Sequence, residues 1–453
     1  MKKLIALLLA VVMVMGLAAC GSKTTTETKA PTEAKVDTPA TEAKTDAPAA
    51  AGSVYYLNFK PEFDQALQGL AASYTEKTGV PVKVVTAASG DYSNTLNAQM
   101  GKDGAPTIYN IGNMSGLKDW DEYALDLTGT ALAGELATND FNLYNEAGEL
   151  KAMGYCYESF GIIVNTKLLA DAGHSLDEIK DFASLKAVAD DIHARAAELG
   201  FDAFSSAGLD GSSSWRFSGH LANMPLYYEF RDDGVTEQPA EIKGTYLDNF
   251  RNIWDLYITD SAADPTALST ATGDQSEAEF GEGKAVFYQN GTWEYAALTA
   301  DKFNLNPDEI AMIPIYCGVD GEEKAGLCSG TENCWAINSQ AKEEDIQASL
   351  DFLYWLVTDP DASAVLVEQL GAVPFKNCPA SANKFIVDGN DLLAKGNYAV
   401  TWAFNYTPNV DSWRATVVTA LAAYSADPTD ANWEAVKTAF VDGWAIEYKT
   451  VNG

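Results

Sequence analysis

Between residues 54 and 111 the chain alternates short apolar runs with helix-patterned segments, and this alternation constrains the fold more than any other feature of the sequence. Residues 54–59 read as a buried strand by their β-forming composition. Pro61 is placed for the first turn of a helix, and Phe63, Leu67, Leu70 and Tyr74 recur at helical spacing up to Gly79. Residues 80–86 give a second strand. A small-residue loop follows, with Ser89 or Asp91 as helix cap, and residues 107–111 give a third strand. Strand, helix, strand, helix, strand predicts a parallel sheet with right-handed crossovers. Asn58, Lys60, Glu62, Asp91, Asn110 and Asn113 then fall in polar loops at strand C-ends, where α/β sheets bind ligands. Each of them is alternatively a cap or turn residue.

A second informative stretch is residues 279–294. Residues 285–288 form an apolar strand, and Asn290-Gly291 reads as a turn that leaves Trp293 and Glu294 at its C-terminal end. An indole is a flat apolar platform and a carboxylate is a multiple hydrogen-bond acceptor, so the pair suits a sugar's C–H face and hydroxyl rim. The alternative is a core Trp beside a solvated Glu.

The 453 residues suffice for more than one core, and two lobes are expected. A net charge of −34 argues against nucleic acid and anionic membrane surfaces as partners. Lys2 and Lys3 followed by an apolar run to Leu17 form a targeting segment too short for a comfortable membrane span. It ends in Leu17-Ala18-Ala19-Cys20-Gly21, which resembles a bacterial lipobox and implies cleavage before Cys20 and lipidation of that residue. Residues 22–52 are rich in Thr, Ala, Lys, Glu and Pro, with too few apolar groups to offset the entropy of ordering, and read as a tether.

From residue 154 onward the chain resembles the extracellular solute-binding proteins of ABC transporters, in particular the maltose-binding-like class that carries sugars. Glu158 stands seven residues before Asn165-Thr166-Lys167-Leu168-Leu169, as in that family's crossing strand, with Val164 where the family has Tyr. Ala105-Pro106-Thr107-Ile108, the run Phe280, Gly283, Lys284, Ala285 leading to Gly291-x-Trp293, and Gly371-x-x-Pro374 match further family segments in order. The resemblance implies a two-lobed α/β fold of the periplasmic-binding-protein-like type II, with a ligand cleft between lobes joined by crossing strands. It implies a signal peptide over residues 1–19 and lipidated Cys20 with its tether over 20–52. The first lobe would comprise 53–157 and 327–378, and the second 158–326 and 379–453. By resemblance Trp293 and Trp413 stack on sugar, and Glu158, Asn113 and Trp215 contact it. Glu332 and Trp402 are placed beside the cleft, as is Trp335, which reads equally as core.

The implied function is capture of a sugar or oligosaccharide and its delivery to ABC permease subunits. The protein would be a monomer tethered by its lipid to the outer face of a Gram-positive cell membrane, with no catalytic residues, cofactor or metal. His174, His193 and His220 are the only histidines, and no close Cys/His set is present in the sequence. A secreted glycoside hydrolase is the rival from another class and requires two carboxylates at a set separation. A binder of a polyamine or peptide is the other rival, since aromatics and carboxylates also hold cations. Beyond Cys20 the five cysteines leave open a Cys328 to Cys334 bridge or five reduced thiols.

Overall fold

The computed structural model describes residues 52–88 and 90–453. The targeting segment, Cys20, the tether up to residue 51 and the proposed cap Ser89 lie outside the described residues. Twelve strands among the described residues form two sheets. The first contains β1 (Val54–Asn58), β2 (Val82–Thr86), β3 (Ile108–Asn110), β4 (Leu143–Tyr144), β5 (Leu150–Gly154) and β11 (Cys334–Ile337), in the order β2-β1-β3-β11-β5-β4. The second contains β6 (Glu158–Asn165), β7 (Asp202–Phe204), β8 (Ala285–Gly291), β10 (Ala325–Gly330) and β12 (Tyr398–Thr401), in the order β12-β10-β6-β8-β7, with β9 (Ile310–Ile313) beside β6.

β1, β2 and β3 are parallel, as the alternating pattern predicts, and β11 runs antiparallel between β3 and β5. Both faces of this sheet are covered. Tyr56, Ile108, Trp335 and Ile337 point into one cluster, and Leu57, Tyr109, Cys334 and Ala336 into the other, as the two-residue period of a pleated strand requires. The second sheet is likewise two-sided, with Ile162 and Val164 on one face and Ile163 on the other.

The chain crosses between sheets at residues 155–157 and returns at 331–333. The two crossings lie side by side, since Tyr155 N–H donates to the Asn333 carbonyl at 2.9 Å and Thr331 Oγ1 donates to the Cys156 carbonyl at 2.7 Å. A third strand of chain joins them where Tyr157 N–H meets the Ala372 carbonyl at 3.0 Å. The return therefore falls after Gly330, and Leu327 and Cys328, placed by the sequence in the first lobe, pair within the second sheet.

The local turn signal at Asn290-Gly291 is overridden. Asn290 and Gly291 make no turn: they continue β8, opposite Gly161 and Phe160. The Asn290 side chain donates to Tyr288 Oη at 2.6 Å and Glu294 Oε1 at 2.9 Å, so tertiary pairing satisfies what a turn would otherwise have used. The helix Phe182–Ala194 is capped by Asp181, which accepts from Ser184 N–H at 2.8 Å, with Ser184 as the reciprocal member of the capping box. Just after Trp215, Arg216–Leu221 winds as a buried π-helical turn into the helix Ala222–Asp233. All five described cysteines are free, so Cys328 and Cys334 do not bridge. Among the described residues no helix is long and apolar enough to cross a membrane.

Candidate functional site

The strand C-ends of the first sheet meet the crossings and the second-lobe wall at one seam. Asn58 ends β1 fully buried. Its Nδ2 donates to the Lys60 carbonyl at 2.7 Å and to Thr86 Oγ1 at 3.0 Å, while its Oδ1 accepts from Lys60 N–H at 3.1 Å. Asn58 thus shapes the loop and leaves no group for a ligand. The loop aims Lys60 at the crossing, where Nζ lies 2.7 Å from Glu158 Oε1 and 2.8 Å from Glu62 Oε1. Asn333 Nδ2 donates to the other Glu158 oxygen at 2.7 Å. Burial alone would lower the Lys60 ammonium, but the Glu158 and Glu62 carboxylates outweigh it and hold the group charged. Glu158 is buried and paired, whereas the Glu62 side chain is 40% exposed.

Lys60 Nζ also stands 5.8 Å from the centre of the Trp293 ring, across the seam. Trp293 opens the helix Glu294–Thr299 just beyond β8 and is half-buried. Its ring lies flat over Gly291, where a Cβ would come within 2.2 Å of the indole, so glycine is required for that close approach. Trp215 is 5.9 Å away and His220 5.4 Å away, ring centre to ring centre. His220 stacks on Phe160 at 3.9 Å, and Gln289 Nε2 lies 2.9 Å from its Nδ1. Burial, reinforced by Arg414 and Arg216, pushes this imidazole well below its usual range, so it is neutral. Three half-buried or buried rings therefore form one wall of the second lobe. Glu294, next to Trp293, is pushed up to about 8 by burial and by the neighbouring Glu277 carboxylate.

Other expected residues fall elsewhere. Trp413 is fully buried. Its Nε1 donates to the Phe440 carbonyl at 2.9 Å, and its ring meets Phe440 and Trp444 edge-on, because the helix Asp430–Asn452 covers that face. It is core and offers no stacking face. Trp402 is also buried, with Nε1 donating to the Cys328 carbonyl at 2.9 Å and its ring stacked near Phe160 and Phe404. Trp335 is core as well, stacked on Tyr155 at 4.6 Å with its Nε1 donating to Tyr56 Oη. Asn113 caps the helix Met114–Trp120, its Oδ1 accepting from Gly116 N–H at 2.9 Å, so only the amide nitrogen is left over. Asp91 is exposed and accepts from Asn94 Nδ2. Glu332 lies partly buried in the return crossing, 4.0 Å from Arg414, and burial raises its carboxyl against the opposing pull of that guanidinium.

His220 and Arg414 carry no sequence signal for this role. The π-helical turn places His220 beside Trp215, and the inward turn of Trp413 leaves Arg414 at the seam. Among the described residues no group of three or more His, Cys, Asp or Glu is arranged to hold a metal ion.

Two α/β lobes joined by adjacent crossings, with an aromatic wall facing a polar one, define a solute-binding protein of the two-lobed, type II class. The chain belongs to the family described as bacterial extracellular solute-binding protein, whose profile matches residues 69–385. No curated protein is matched by the sequence. Solved structures of the same fold include the solute-binding protein RafE in complex with raffinose, at 16% identity and a TM-score of 0.70, covering 87% of this chain and 99% of that one. A chitin oligosaccharide binding protein gives 15% identity and 0.68, covering 88% and 98%. Maltose-bound MalE3 of T. maritima gives 15% and 0.66, covering 88% and 100%. At these identities the likeness speaks for the fold.

Proposed function

We propose that the protein captures a neutral carbohydrate between its lobes and hands it to the permease of an ABC importer, with no chemical turnover. The observation that carries this reading is the wall formed by Trp215, His220 and Trp293, set opposite Lys60, Glu62 and Glu158. Aromatic faces take the apolar side of a pyranose, and the charged rim discriminates hydroxyls. The neighbours described as in complex with raffinose, as a chitin oligosaccharide binding protein and as maltose-bound support it. On this reading Glu62, Glu294, Glu332, Asn113 and Asp91 are the candidate polar contacts to the ligand. A glycoside hydrolase needs a carboxyl pair free to protonate and attack, whereas Glu158 and Glu62 are held by Lys60. Cys20 carries the lipid anchor, and the tether holds a monomeric receptor at the outer face of the membrane. One second reading, a cationic ligand such as a polyamine, rests on the aromatic rings of the wall together with the exposed Glu62 carboxylate, although Lys60 beside Trp293 opposes a cation there.

Calorimetric titration with raffinose, stachyose, maltose, chitin oligosaccharides and spermidine tests both. Saturable heat with one of the sugars and a smaller radius of gyration in solution scattering are expected, because the lobes hinge about paired crossings. Sugar cleavage abolished by a single carboxylate substitution would remove the binding-protein reading, and heat from spermidine alone would favour the second.

A further inference from the structure

The geometry points to Arg414 as a ligand-contacting, specificity-determining residue that works with Glu332 to hold a hydroxyl of the bound carbohydrate; this rests on the carbohydrate reading above. Arg414 lies on the helix Val410–Ala426, next to the buried Trp413. Three residues earlier, the Asp411 carboxylate accepts from Ser93 Oγ of the first lobe at 3.0 Å, which places this end of the helix on the seam between lobes.

The guanidinium is positioned by packing. Its Cζ lies 5.0 Å from the centre of the Phe404 ring. On another side stands Gly219, where a Cβ would come within 2.9 Å of Nη2, so the π-helical turn carries glycine where the guanidinium passes. His220 follows, and Trp293 is 5.4 Å beyond it. The apolar platform and the guanidinium are thus neighbours along one wall.

Hydrogen bonding does not account for the position. Arg414 Nε–H is buried with no acceptor, and the Glu332 carboxylate comes no closer than 4.0 Å to Nη2, too far for a hydrogen bond. Two buried acceptors of the same crossing region are also unpaired. Asn333 Oδ1 and Asn405 Oδ1 have no donor, while their amide nitrogens are committed to Glu158 and to the Thr331 carbonyl. Leaving such groups unpaired is costly in a binding protein unless a ligand or water supplies partners.

The chemistry of the gap selects its occupant. A hydroxyl accepts from the guanidinium and donates to the carboxylate at once. A ligand carboxylate only accepts and meets Glu332, and a ligand ammonium only donates and meets Arg414. The pair therefore favours an uncharged polyol over acidic or cationic ligands. The net charge of −34 also disfavours approach of an anion.

The test uses whichever of raffinose, stachyose, maltose or chitin oligosaccharide gives the largest heat with the wild type. Arg414→Ala should weaken that sugar about tenfold or more, and Arg414→Lys should recover part of the loss, because a single ammonium replaces one arm of the fork. Glu332→Gln should weaken it also. The double substitution should lose less than the product of the two single losses, since both side chains act on one hydroxyl. The ligand-free thermal midpoint should stay within about 2 °C of wild type, as no core is removed. Arg414→Ala binding within about twofold of wild type overturns the clamp. So does an affinity loss matched by a large fall in the ligand-free midpoint and not relieved by Arg414→Lys. If Arg414→Ala does not fold, Arg414→Lys decides, and unchanged affinity there overturns the clamp. A wild type that responds to no sugar overturns the carbohydrate reading itself, a result distinct from normal binding with an indifferent Arg414.

Discussion

The two sides of the cleft are built on opposite principles. The polar side is charged and mostly paired: Asn58 folds the loop, Lys60 of the first lobe bonds Glu62 and Glu158 at the start of β6, and Asn333 Nδ2 takes the remaining Glu158 oxygen while its Oδ1 stays unpaired. The second-lobe wall is aromatic and short of partners, with Trp215, His220 and Trp293 in mutual contact and Arg414 unbonded beside them. A paired ion network resists rearrangement. A wall of platforms and spare donors has affinity left to give. On the proposed carbohydrate reading, the aromatic wall supplies the stacking energy, and Arg414 with Glu332 adds selectivity for an uncharged ligand.

The sharpest break in that comparison lies within the second lobe, between Trp413 and Trp293. Trp413→Ala should cost about 3–5 kcal/mol of stability, because it removes a fully buried ring and its bond to the Phe440 carbonyl. Thermal melting should show a fall of about 10 °C, with near-normal sugar affinity in the protein that remains folded. A Trp413 variant that melts normally and loses affinity would return the residue to the site.

Trp293→Ala should behave the other way. Stacking is worth roughly 1–3 kcal/mol by area, so affinity should drop about tenfold to a hundredfold. The ligand-free midpoint should move little, since the ring rests on Gly291 at the surface of the wall. Calorimetry and melting on one preparation separate the two tryptophans.

The smallest expected effect concerns Glu294. Its folded-state carboxyl is raised from the ordinary 4.5 to about 8, with burial as the main cause. A raised group contributes stability that is complete below its unfolded value and is lost as pH climbs through the folded one. Wild-type protein should therefore melt lower, by about 2–4 °C, at the alkaline end of that window than at the acid end. Glu294→Gln should flatten the slope. A Gln variant with the wild-type slope would place the titration elsewhere.

Much of the fold was legible in the chain. The parallel β1, β2 and β3 follow from apolar runs separated by helix-spaced residues, and Gly79 in the left-handed conformation ends the first helix as local chemistry dictates. The site was legible in part. Lys60, Glu62, Glu158, Trp215 and Trp293 do converge, because strand ends and the crossing are set by the order of elements. Trp413 and Trp402 were not separable from Trp293 by sequence, since an indole has the same pattern whether it ends on a platform or in a core.

Sequence alone determined the alternation of strands and helices and the polar residues at strand ends, which depend on near neighbours and on periodicity, while the family resemblance implied the crossings. Tertiary structure decided the rest. Pairing with β6 turned Asn290-Gly291 from a turn into strand and made Gly291 the bed for Trp293. The C-terminal helix buried Trp413 and so left Arg414 at the seam. A one-residue step along a helix rotates a side chain by roughly a quarter turn or more, and only the packing of a distant helix chooses which of two adjacent residues faces the cleft.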